Sequence, residues 1–336
     1  MKGDPTLFPV KDAHWYAQRS RVGSQGDNEY EAPNPPFGAV FTYYMPEKLT
    51  SLKDVRKKRE RQLTKDNASI PFPGWSAIEA ENRQLAPSVI FTVRDSKGDV
   101  VNVVNGKNKA GFSRVAWGLN VASRSGEALE SRGRGFGGGF MVTPGKYAVT
   151  MSTVVDGVVN DIGTPREFEV KPLMDGALKG APYADIDAFR ITYEAFQQDL
   201  RATNNVLSTS QKKVDAMSRA LGKATRPSKD LMKKLYDARI ALMDLDKAMN
   251  GDETKGEIGE RSNPTPGDAG RLGWVALSGT YGPTANHKAA FERAAEQLAK
   301  LKLEVKKMAE ETIPALETEV KATGAPWIEG QGLIEK

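Results

Sequence analysis

Cysteine is absent from the 336 residues, which excludes disulfides, thiolate metal centres and cysteine nucleophiles without choosing a compartment. Histidine is nearly absent: His14 and His287 are the only two. A histidine-rich metal site is therefore excluded, and a Ser-His-Asp triad would have to draw on one of them. Long apolar runs are missing as well. The longest, such as residues 38–45, fall far short of the roughly 20 residues that span a bilayer, so no transmembrane helix is expected. The opening Met1-Lys2-Gly3-Asp4-Pro5 has no apolar core of the secretion-signal kind. That leaves a cytoplasmic protein or a piece of a longer precursor.

What is present is an ordinary soluble composition, 39% apolar and 27% charged, in a chain long enough for two domains. The net charge of +5, spread over this length, argues only for solubility.

Residues 1–37 are rich in Gly, Pro, Asn and Asp, and the prolines at 33, 35 and 36 forbid helix there. An extended segment lying on another surface is expected, anchored by Phe8, Trp15 and Tyr16. Residues 39–45 then have strand chemistry, ended by Pro46. Residues 48–66 read as a highly charged helix. A Pro/Gly loop follows, then a short helix at about 75–85 whose Ser76-Ala77-Ile78-Glu79 fits a capping box.

From Ser88 to Val170 strand chemistry dominates. Val89 to Val93 ends at a turn with Gly98, Val100 to Val104 ends at the reverse-turn pair Asn105-Gly106, and Phe112, Val115 and Trp117 belong to the next strand. A Gly-rich loop leads to a strand at 144–151, and 166–171 closes the sheet. Short strands at roughly ten-residue spacing argue for a sandwich. The whole of residues 38–175 reads as one β domain with a helical insertion at about 47–86.

The period changes near residue 180. Ile186, Phe189, Tyr193, Phe196, Leu200, Thr203, Leu207, Ser210, Val214, Met217 and Leu221 recur three and four apart, a long helix with a heptad seam. Pro227-Ser228 opens a second helix with the stripe Leu231, Leu235, Ala238, Leu242, Leu245 and Met249. Residues 250–269 read as loop by composition. A short apolar helix follows around 272–277. Thr284 caps a last long helix with Phe291, Ala294, Leu298, Leu301, Val305 and Met308 on one face. Its stripe resumes one position out of step at Ile313, Leu316 and Val320, beside Pro314, where a kink is expected. Such stripes must pack on one another. Over 183–325 either an antiparallel bundle or a two-chain coiled coil satisfies them, with 326–336 as a tail.

Candidate sites are few. Gly133-Arg134-Gly135-Phe136-Gly137-Gly138 has the letters of a dinucleotide fingerprint but not its strand and helix flanks, and reads as an inter-strand loop. His287 falls in the first turn of a capped helix, a capping position. His14, beside Trp15 and Tyr16, reads as packing. Asp95 and Asp99 around Gly98 lack the spacing of a calcium loop and read as a turn. Paired carboxylates for glycoside cleavage find no context that singles any out. Lys53, Arg56, Lys57, Lys58, Arg59, Arg61 and Lys65, against Asp54 and Glu60, could meet nucleic-acid phosphates, although no aromatic is interleaved to stack bases. Trp15, Tyr16, Trp75 and Trp327 could stack on sugars, core packing being the commoner fate of tryptophan.

Three passages together resemble a known family. Residues 32–44, Ala-Pro-Asn-Pro-Pro-Phe-Gly-Ala-Val-Phe-Thr-Tyr-Tyr, are similar to the stretch that follows the β-propeller in bacterial sortilin-like, BNR-repeat proteins often labelled glycosyl hydrolases. Residues 93–101, 111–117 and 144–147 match, in order, the immunoglobulin-like domain of the flagellar hook-capping type that comes next in that family. Gly282-Pro283-Thr284 and Gly324-Ala325-Pro326-Trp327 resemble the ends of its C-terminal bundle. No Asp-box and no blade-length repeat is present, so the hydrolase label, which rests on the propeller, does not carry over.

The resemblance implies an α+β multidomain chain: an immunoglobulin-like sandwich of hook-capping type followed by an antiparallel long-helix bundle. It implies a non-catalytic binding or scaffolding module of a secreted, periplasmic or cell-surface protein, without cofactor or metal, packed against a β-propeller partner. Trp15, Tyr16, Phe37, Trp75 and Trp327 are then the candidate partner or glycan contacts. An accessory glycan-binding role and nucleic-acid binding through residues 53–65 are the alternatives.

Overall fold

A computed structural model describes residues 3–18, 34–124, 126–127, 129, 139–174, 176, 178–260 and 264–332. The chain is an α+β protein of two units, Met1–Ser123 with Phe136–Lys179, and Arg124–Gly135 with Gly180–Lys336.

In the first unit β1 (Thr6–Leu7), β3 (Ala39–Met45) and β6 (Gly111–Trp117) form a three-stranded sheet in the order β1-β3-β6. A five-stranded sheet runs β2 (Ala13–Trp15), β8 (Val158–Pro172), β7 (Gly145–Val155), β4 (Ser88–Asp95), β5 (Val100–Gly106). Pairing is antiparallel except between β2 and β8. The two sheets share one buried cluster that includes Phe41, Tyr43, Phe91, Trp117, Tyr147 and Phe168. Alternation puts it there: in β3 and β4 every second side chain is buried, as the period of a pleated strand requires. The rings of Phe41 and Phe91 stack at 5.5 Å, one from each sheet.

The structure refines several expectations here. Residues 3–18 are not a separate segment but supply an edge strand to each sheet. Asn105-Gly106 does not turn the chain; both residues finish β5. Glycine is needed at 106 for space, because a Cβ there would sit 2.6 Å from Phe91 Cε2 and 3.0 Å from the Tyr43 hydroxyl. β7 and β8 continue past the expected ends and join at Asp156-Gly157, both at positive φ, a tight hairpin.

Between β3 and β4 come α1 (Leu52–Lys65) and α2 (Trp75–Arg83), neither with a buried residue. Ser51 caps α1 through a capping box with Asp54. The box expected at Ser76 does not form. Gly74, at φ +91°, is the N-cap, a backbone conformation that serine rarely adopts, and Ser76 lies inside the first turn.

The second unit holds α3 (Tyr183–Leu221), α4 (Lys229–Asn250), a one-turn α5 (Glu253–Glu257), α6 (Pro266–Leu277), α7 (Ala285–Lys307) and α8 (Ile313–Ala322). The stripe of α3 is buried except for a half-buried Leu200, and that of α4 except for Leu245. These faces meet within the single chain, α3 against α4, α6, α7 and α8, with Phe189, Tyr193 and Phe196 ringing Phe291 of α7.

Residues 266–269, expected as loop, are the first turn of α6, capped by Thr265 with Pro266 at the first position and Asp268 completing the box. Gly270 and Gly273 let α6 lie against α3, since a Cβ on either would stand 2.6 Å from Phe196 Cε1 or 2.5 Å from Tyr193 Cε2. The break beside Pro314 takes the form of a π-helical turn, Met308–Thr312, between α7 and α8. The wider turn absorbs the extra residue by which the stripe falls out of step, so Val305 and Ile313 are both buried.

Candidate functional site

The α1–α2 insertion is built as a rigid projection. Its two ends meet at one side chain: Asn108 Nδ2 donates to the carbonyls of Leu49 at 2.8 Å and Pro87 at 3.1 Å, and Asn108 Oδ1 accepts from Leu49 N at 2.8 Å. Gln84 accepts from Leu52 N at 2.7 Å and donates to Asp156 at 2.8 Å, fastening the insertion to the β7–β8 hairpin.

The helices run antiparallel and are clamped by a charged fork. Arg56 Nε and Nη2 donate to the two carboxylate oxygens of Glu81 at 2.6 and 2.8 Å, while Nη1 reaches Glu60 at 2.6 Å. The Arg56 guanidinium holds the Glu81 carboxyl below its usual range, and Glu81 holds Arg56 ionised. Planar two-pronged pairing of this kind fixes orientation as well as attraction.

With Gln84 beside Leu52 and Glu81 beside Arg56, Trp75 falls at the other end of the hairpin, towards Lys65. There Phe72 and Trp75 meet edge to face at 5.0 Å, 60% and 79% exposed. Ile70 and Leu85 are exposed too. Seven of the chain's 48 Lys and Arg lie in α1, against two of its 43 Asp and Glu. The remaining 41 bases and 41 acids balance, so this helix carries a net charge equal to that of the whole chain. The field is local, not spread as the total suggests. The basic run singled out in the sequence accounts for the whole of that surplus.

The five candidate rings have different fates. Trp15 is a core residue, 7% exposed, its indole N–H donating to the Val142 carbonyl at 2.7 Å, and so is not a surface contact. Tyr16 and Phe37 are brought together, edge to face at 5.0 Å. Trp75 stands in solvent against Phe72. Trp327, in the helical unit, is half exposed and donates to the Gly332 carbonyl.

His287 caps α7 as expected, its Nδ1 accepting from Thr284 N at 3.3 Å. His14 departs from the packing expected of it and is exposed on edge strand β2. Asp95 Oδ1 accepts from the backbone of Lys97 and Asp99, closing the β4–β5 turn. Residues 133–138 lie outside the described residues.

One charged group was missed by sequence reasoning. Glu194 on α3 is 7% exposed, with Oε2 3.2 Å from Arg190 and Oε1 unpartnered. Burial pushes its carboxyl up, against the opposing pull of Arg190 and Arg124. The visible signal was a glutamate next to the seam residue Tyr193 with an arginine four positions before it. In a cleft of about 950 Å³ at the end of α4, Asp252 is tied to Lys247 at 2.8 Å, which keeps it ionised.

No family model, curated protein or solved structure matches this chain.

Proposed function

We propose that the chain is a non-catalytic binding or scaffolding module that docks a protein partner through the α1–α2 insertion. The observation that carries this reading is the Phe72–Trp75 ring pair. Two large aromatic side chains stand in solvent at the tip of a projection whose base is pinned by hydrogen bonds. Aromatic anchors on rigid supports are what interface hot spots are made of. The surplus of positive charge on α1 calls for an acidic surface around the pocket that receives them.

The resemblance to sortilin-like proteins suggests the class of partner, a β-propeller, and with it the finer reading of the β unit as an immunoglobulin-like domain of hook-capping type on an exported protein. Two sheets around a shared aromatic core are consistent with that reading. The test is to ask whether a neighbouring reading frame encodes a β-propeller and to titrate that protein, purified, against this chain. Binding is expected, weakened at least tenfold in the Phe72→Ala/Trp75→Ala protein and weakened by added salt. Undiminished binding by the double variant would refute the assigned surface.

A second reading is favoured by the same geometry. Sequence alone interleaves no aromatic in the basic run, whereas the fold sets two exposed rings at its end, the pairing that single-stranded nucleic acid uses. An affinity for a uridine 20-mer that falls steeply with salt, with none for the propeller, would select it.

A further inference from the structure

Three helices stop or start at one end of the helical unit: α3 ends at Leu221, α4 begins at Lys229 and α8 ends at Ala322. These ends are fastened to one another. The Thr323 carbonyl accepts from Arg226 N and from Thr225 Oγ1, both at 3.1 Å, and Gly324 lies so close that a Cβ would overlap the Thr225 hydroxyl. Residues 216–229 and 320–328 make up this end, and they hold Arg219, Lys223, Arg226, Lys229 and Lys321 with no acid. All five are exposed, and none has an ion-pair partner among the described residues. Carboxylates of the adjoining turns are taken, Asp230 and Glu319 by Lys234 and Asp215 by Arg239. Glu317 and Glu329 lie further along, beside Lys213.

Part of this clustering has a cause inside the fold. Arg219 and Lys321 stand in the last turns of α3 and α8, where a cation suits the negative end of the helix dipole. Lys229 does not. It is the first residue of α4, at the positive end of that dipole, and Arg226 comes just before the cap Ser228. Cations held against the local field, without carboxylates, are satisfied from outside the chain.

Their arrangement favours a surface over a compact ligand. Arg219 and Lys229 are two positions, or about 200°, around their helices from the buried Met217 and Leu231, so each points away from its own core. Cations splayed in this way do not converge on one phosphate, but an extended anionic plane meets them together. Trp327 stands half exposed in the same stretch, its indole N–H tied back to the Gly332 carbonyl. Tryptophan beside lysine and arginine is the pairing that suits bilayer headgroups.

We infer that this end of the helical unit docks on an anionic phospholipid bilayer, with Trp327 at headgroup level. The attachment is electrostatic, hence reversible and sensitive to salt. It leaves the α1–α2 insertion uninvolved, so the two surfaces fail or succeed separately.

The full chain is expected to co-sediment with phosphatidylcholine vesicles that contain phosphatidylserine, to leave them as salt is raised, and to ignore phosphatidylcholine alone. Arg226→Glu/Lys229→Glu should weaken binding about tenfold or more, since it reverses two of the cations that face the lipid, with unchanged helical circular dichroism. Lys223→Glu/Lys321→Glu, with neither position in α4, should do the same and serves if the first variant unfolds. Phe72→Ala/Trp75→Ala should bind the vesicles as the parent does. Lipids brominated near the headgroup should quench part of the fluorescence, and Trp327→Phe should lose that part. The inference is overturned by no binding, by equal binding to neutral vesicles, or by binding indifferent to both charge variants. Binding lost with Phe72 and Trp75, or a preference of these cations for single-stranded RNA over vesicles, overturns it equally.

Discussion

At the scale of single residues, Glu194 is where the helical unit's stability depends on pH. Its carboxyl is raised by burial above the ordinary value of 4.5. Below 4.5 both the folded and the unfolded chain hold the proton, and the group does not oppose folding. As pH rises further the unfolded chain releases the proton while the folded chain retains it, so stability falls until the raised folded value is passed. Glu194→Gln is expected to flatten that slope. Thermal unfolding followed by circular dichroism between about pH 4 and pH 8 will show it, and an unchanged slope would mean that Arg190 compensates the charge fully. The neighbouring aromatic seam was legible from spacing alone, but the burial of Glu194 was not, because a charged residue beside a stripe is ordinarily solvated.

Among the elements, α6 is the most instructive. Its glycines and prolines gave residues 250–269 the composition of a loop, yet residues 266–269 open α6 and Glu253–Glu257 form the one-turn α5. Thr265, Pro266 and Asp268 are a helix start, and Gly270 and Gly273 are contact points where α3 comes too close for a side chain. Gly273→Ala is expected to destabilise the helical unit by about 1–3 kcal/mol, as overpacking does, despite alanine's better helix propensity. Urea unfolding monitored at Trp274, half exposed on the same helix, is the measurement. A stabilised variant would show that α6 can shift away from Tyr193 without loss. The π-helical turn at Met308–Thr312 teaches a related lesson. A stripe one residue out of step is legible in the sequence, but whether the chain kinks, unwinds or widens is settled by the need to bury both Val305 and Ile313.

On the scale of the whole molecule, the insertion is an accessory to the β unit and not part of its core, since neither α1 nor α2 buries a residue. Its ends converge on Asn108, close enough for a short link to replace it. Exchanging residues 50–86 for two glycines is expected to leave the unfolding midpoint of the β unit within a few degrees, the scale of about 1 kcal/mol, and to abolish partner binding. A β unit that fails to fold without the insertion would show that it acts structurally. The same deletion removes eight Lys and Arg against five Asp and Glu, a net +3 of the whole chain's +5, and should lower the isoelectric point from about 9.1.

Side-chain periodicity by itself determined the order of the chain: a β region first and a helical region after it, with the seams of α3, α4 and α7 named residue by residue. Local chemistry also determined the helix starts at Ser228 and Thr284, because a cap depends on neighbours three residues away. Tertiary structure alone decided which apolar residues are left over. Trp15 and Trp75 are the same residue type in similarly polar sequence, yet one closes the core under Val142 and the other stands in solvent beside Phe72. Burial is set by what the rest of the chain brings to a side chain, and no window of sequence contains that.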